Sequence, residues 1–186
     1  MSLLVKGPRR AVVVLGLLVA TLAVGALALP ALGDMSDRGV GIIQFELART
    51  SEKASEYYGE LGNKGRDAAR ESLYLDYPYL VLYALFYAAA CVAVGARAAE
   101  RGMARLAGLG QPLAIGALVA AACDAVENVA LLQVLNGHTD QPWPAIAFTF
   151  ASFKFLLLIA ASLYAIVGFL LTLRASRGPS GARASS

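Results

Sequence analysis

Asp124, Glu127 and Asn128 stand at i, i+3 and i+4 in the stretch CDAVENVALL, so a helix projects all three from one face. The residues just before it, PLAIGALVAAA, carry no polar side chain. Carboxyls placed in such a run can hold a cation, move a proton or act as general acid and base. One and two turns earlier on that face stand Ala120 and Gly116, small residues that admit a neighbouring helix closely. The polar face therefore looks inward.

Its expected partner is Lys154 in FASFKFLLL. The short, turn-rich loop Asn136–Pro144 makes the flanking helices an antiparallel hairpin. With a turn centred near residue 139, residues whose numbers sum to about 278 share one depth, because both helices rise about 1.5 Å per residue. Asp124 and Lys154 satisfy that sum, roughly 15 Å below the end of the hairpin, and Ser152 lies near the depth of Glu127.

A second polar face precedes them. Asp76, Tyr79, Tyr83 and Tyr87 follow i, i+3, i+7 and i+11. Asp76 has two readings: it faces the same centre as Lys154, or with Pro78 it simply begins or kinks a helix. Asp76, Asp124 and Glu127 set against Lys154 leave two surplus acids. One carboxyl, Glu127 for choice, would then be protonated or hold a cation, so the site favours protons, metal ions or amines over anions.

What is missing narrows the chemistry. His138 is the single histidine and lies in the hairpin loop, which removes bis-histidine haem and histidine-rich metal centres; no metal site and no cofactor are expected. Neither a phosphate-binding loop nor a GxSxG elbow is present. Cys91 and Cys123 form no CxxC pair and read as small apolar residues.

The elements that position these residues are membrane-like. The 186 residues are 58% hydrophobic with mean hydropathy +0.61, well above a soluble domain. A hydrocarbon layer needs about 20 apolar residues per helix. Four runs qualify: Ala11–Leu32, Leu73–Ala96, Pro112–Leu135 and Ala145–Leu173. The fold expected is an all-α membrane protein, a four-transmembrane-helix bundle occupying residues 11–173 as one domain. A basic N-terminus, 1–10, and a disordered tail, 174–186, flank it.

Basic residues cluster at Lys6, Arg9 and Arg10, at Arg97, Arg101 and Arg105, and at Arg174, Arg177 and Arg183. The positive-inside bias puts both termini and the second connection in the cytoplasm. The lipid bilayer is the partner these charges imply, with no nucleic acid. High alanine and glycine content suits a bacterial inner membrane. The first run reads as an uncleaved anchor; the alternative is a signal peptide cut near Ala26-Leu27-Ala28.

Between the first two spans, Gly33–Glu71 predicts two or three short amphipathic extracytoplasmic helices. Thr50 caps SEKASEYYGEL, and Gly62-Asn63 stops it. Tyr57, Tyr58, Tyr74 and Trp143 suit an interfacial belt. Glu46 and Arg49, at i and i+3, read as a local ion pair.

The stretches GIIQFELART, LYLDYPYLVLY, DAVENVALL and FKFLLL together resemble a group of small bacterial four-span integral membrane proteins, over roughly Gly39 to Leu173. The resemblance implies the topology and the choice of polar residues, and no activity.

Three functions fit. The first is binding or transport of a proton, cation or small amphipathic solute, with homo-oligomers or a partner membrane protein enlarging a narrow bundle. The second is an acid/base enzyme on a lipophilic substrate, with Asp124 or Glu127 as the acid/base and Lys154 as stabiliser. The third is a structural subunit whose buried charges hold helices together.

Overall fold

Pro30 divides the first apolar run in two. The computed structural model describes residues 8–175, so Lys6, Arg177 and Arg183 lie outside the described residues, as does the tail expected to be disordered apart from Arg174 and Ala175, which are helical. Helix α1, Pro8–Leu27, stops before the proline, and α2, Leu29–Ser36, carries it in its first turn. The run expected as a single stretch to Leu32 is therefore two helices that meet at Ala28. A proline cannot donate to the carbonyl of Ala26, whereas a first turn does not need that donor.

A short helix α3, Ile42–Glu46, follows; its first turn is closed by the Gln44 side chain, which accepts from the Gly41 N–H at 2.9 Å. Three long helices complete the described residues: α4, Ser51–Ala99, α5, Ala104–Leu135, and α6, Trp143–Ala175. The described residues contain no strand. Four helices, Arg9–Leu27, Ser51–Ala99, Ala104–Leu135 and Trp143–Arg174, are long and apolar enough to cross a membrane.

Thr50 caps α4 by accepting from the Lys53 N–H. Gly62 interrupts the helix with φ 58° and ψ −174°, a conformation essentially confined to glycine. The expected stop is thus a kink, and the chain resumes at once. Pro78 neither begins nor breaks α4. The hydrogen bond it forfeits is to the carbonyl of Tyr74, and both residues are on the exposed side. Pro112 likewise lies inside α5, which begins eight residues earlier than the expected span.

Helix α4 is the spine: α1, α5 and α6 all pack on it, and α5 and α6 form the antiparallel hairpin. Helices α4 and α5 approach backbone to backbone at Gly95 and Gly110. A Cβ on Gly110 would sit 2.9 Å from the Cys91 carbonyl oxygen, and the Tyr164 phenol fills the remaining space while donating to the Leu106 carbonyl at 2.8 Å. Of the small residues expected to line this face, Ala120 is fully buried, while Gly116 faces Leu157 more loosely.

At the other end, α2, α3 and the first turns of α4 cover the α5–α6 loop. Met35, Val40, Phe45, Leu61, Leu131 and Leu135 form a closed apolar core there. Ser55 bonds Thr139, and the Gln141 amide donates to the Arg49 carbonyl. The opposite end is tied by the Arg10–Glu100 ion pair, 3.1 Å, which sets the start of α1 beside the α4–α5 turn.

Candidate functional site

Lys154 lies on the buried side of α6 and points its ammonium at α5. Its Nζ is 2.9 Å from Asp124 Oδ1 and 2.8 Å from Glu127 Oε2. The depth relation between the two hairpin arms therefore corresponds to a contact. Asp124, Glu127, Asn128 and Lys154 are all buried, and Glu127 has no exposed surface.

Helix α4 supplies the second layer. Tyr83 donates to Asp124 Oδ2 at 2.7 Å, and the Asn128 amide donates to Asp76 Oδ2 at 2.6 Å. Asp76 thus faces the centre, through Asn128, rather than serving as a helix start. The phenol face divides by depth. Tyr79 packs edge-on to Tyr83 with ring centroids 5.5 Å apart and lies against Gly25 of α1. Tyr87, one turn further along, accepts from Ser162 of α6. Ser152 takes no part, since its exposed hydroxyl bonds its own helix at Phe148.

One member was missed. Glu46 does not pair with Arg49; its Oε2 lies 3.7 Å from Lys154 Nζ. Arg49 turns away, with its guanidinium 5.5 Å from the centre of the Phe148 ring. The physical reason is that Phe45, 1% exposed, locks the short α3 into the apolar core at this end of the bundle and so aims Glu46 inward. An exposed i, i+3 pair is worth only a few tenths of a kcal/mol and cannot compete with that packing. The available signal was an acid flanked by apolar residues in GIIQFELA.

Burial pushes the Glu46 carboxyl up to about 7; Lys154 opposes the shift, and the negative charges of Asp124 and Asp76 add to it. Glu46 therefore changes charge near neutrality.

Compared with known protein families, with curated proteins and with solved structures, the chain matches none. Its chemistry has to be read from the cluster itself.

Four carboxyls, Glu46, Asp76, Asp124 and Glu127, surround one ammonium. Lys154 contacts three of them, and Asp76 has the neutral Asn128. Burying an unbalanced charge costs several kcal/mol, so three net negative charges cannot persist in this setting without protons or a cation. Glu127 shows the imbalance most sharply. Its Oε1 has no hydrogen-bond partner, and its Oε2 meets Lys154 only as an ion pair, off the hydrogen-bonding direction.

A pocket of about 210 Å³ opens beside the cluster, between α1, α2, α3 and α4. Glu46, Asp76, Tyr79 and Ser72 supply its polar lining; Val24, Leu32 and Ile42 are among its apolar walls. Among the described residues, no three His, Cys, Asp or Glu side chains converge as a metal-holding set.

Proposed function

We propose that this chain is an integral membrane protein whose carboxylate–lysine cluster binds and passes a small cation, the proton being the simplest. The observation that carries this reading is the unbalanced cluster. A structural clasp needs one acid for one lysine, whereas here three acids meet Lys154, Asp76 adds a fourth beside Asn128, and the buried Glu127 Oε1 is left without a partner. Intramembrane carboxyls facing a bundle interior are the usual elements of proton relays and ion paths. Both termini and the α4–α5 turn are proposed to face the cytoplasm, a reading supported by the basic residues gathered at that end. The pocket beside Glu46 and Asp76 then opens towards the outer side.

The test is proton movement. The purified full chain, in vesicles holding a pH-sensitive dye and carrying an imposed potassium diffusion potential, is expected to acidify or alkalinise the lumen faster than empty vesicles do. Glu127→Gln, which keeps the shape and removes the ionisable group, is expected to abolish that flux. Folded protein with no flux would leave the cluster as structural glue and overturn the proposal.

A further inference from the structure

The pocket beside the cluster carries two carboxyls, with Ser72 and the Tyr79 phenol as its other polar side chains, and the rest of its lining is apolar. Glu46 reaches it from α3, and Asp76 reaches it from α4. Tyr79 presents its ring to the same space, while Val24, Ala28 and Leu32 bring only apolar surface. A bare inorganic cation would gain little here, because hard ions need six or more oxygen ligands and these walls offer few. A protonated amine suits both parts. Its N–H groups can donate to two carboxylates, its charge can lie over an aromatic ring, and its carbon body can cover the apolar wall.

Size limits the body. An engineered apolar cavity of roughly 150 Å³ takes benzene, and drug-sized ligands need roughly 300 Å³ or more. At about 210 Å³ the pocket fits a single ring or a short chain bearing one ammonium.

We infer that the pocket between α1, α2, α3 and α4 is a binding site for a small amphipathic amine, held through its ammonium by Glu46 and Asp76. This rests on the reading of the cluster as a cation site and names the ligand class. The amine nitrogen would compete with Lys154 for Glu46, whose present contact is the longest of the three ion pairs at 3.7 Å. A free amine fits a pocket of about 210 Å³ better than a lipid, whose acyl chains have to remain outside.

The experiment titrates the full chain in phosphatidylcholine nanodiscs with benzylamine and with benzyl alcohol, its neutral counterpart, by ligand-observed NMR. Benzylammonium is expected to bind about tenfold or more tightly than the alcohol, the worth of a charge-assisted hydrogen bond. Glu46→Gln and Asp76→Asn are each expected to reduce that preference, and Ala28→Leu to weaken both ligands by filling the space. Equal binding of amine and alcohol by the unsubstituted chain would overturn the assignment, whatever the variants do. Phosphatidylethanolamine in the disc separates the two sources of an ammonium: displacement of the probe assigns the pocket to headgroups and overturns the free-amine assignment, while unchanged affinity supports it. Flux without amine selectivity would sink this inference and spare the proton reading. Amine selectivity without flux would do the reverse.

Discussion

Tyr83 donates its phenolic hydrogen to Asp124 at 2.7 Å, and it takes the carboxylate oxygen that Lys154 leaves free. Each oxygen of Asp124 thus has one donor, from α4 and from α6 respectively, and a single residue of α5 joins the three helices. Glu127, one turn away, has no such arrangement. The two carboxyls differ in role for that reason: Asp124 is satisfied, and Glu127 is available.

Tyr83→Phe removes the donor and leaves Asp124 Oδ2 buried. A hydrogen bond to a charged group is worth about 1.5–3 kcal/mol, so a loss near 2 kcal/mol is expected on unfolding in SDS-titrated micelles. A change within error would show that the phenol contributes nothing to holding α4 on α5. Flux is expected to persist in this variant, because Glu127 keeps its surroundings.

Lys154→Met leaves its carboxyl partners without their cation and is expected to cost about 3–5 kcal/mol, the penalty for breaking a buried pair from one side. Adding Asp124→Leu and Glu127→Gln removes most of the orphaned charge. The triple variant should regain most of the lost stability while remaining inactive in the flux assay. A triple variant as unstable as the single one would show that lysine packing, rather than charge balance, governs this part of the bundle.

Glu46 gives stability a pH dependence of defined sign. Burial raises its folded value from 4.5 to about 7, so the folded chain holds a proton that the unfolded chain has released between those limits. Its contribution is fully present below about 4.5 and is lost as pH rises through about 7. Thermal midpoints measured from pH 4 to pH 8 should therefore fall less steeply for Glu46→Gln than for the parent chain, a pH range set by that shift. Parallel curves would refute the assignment.

Gly110→Val tests the crossing that holds α4 against α5. The added Cβ meets the Cys91 carbonyl oxygen at 2.9 Å, and backbone cannot yield as a side chain can. Overpacking of this kind costs about 1–3 kcal/mol. The same change at Gly108, whose Cβ would meet nothing within 4 Å, is expected to be nearly silent in thermal unfolding.

The hairpin half of the cluster was legible because helical spacing and a short loop are both arithmetic in residue numbers. Asp124, Glu127 and Lys154 could be placed from those two periods alone. Asp76 was legible only as an alternative, since an Asp two residues before a proline has a good local explanation. Glu46 was hidden for a similar reason: Arg49 offered a nearby partner, and nothing in the spacing reveals that α3 folds over the bundle end. That information resides in Met35, Val40 and Phe45, whose burial depends on contacts from across the chain. The Gly95–Gly110 crossing escaped notice because the more central Gly116 drew attention to the wrong turn of α5.

Helix α1 has a consequence out of proportion to its packing. Most of its residues are not buried and its main contacts are with α4, yet Val24, Gly25 and Ala28 close one side of the pocket. None of the residues ion-paired with Lys154 belongs to it. In the membrane setting proposed above, displacing α1 would open this side of the pocket sideways onto lipid. On the proposed reading, α1 is the doorpost of this site, and its position would decide whether a ligand arrives from the water or from the lipid.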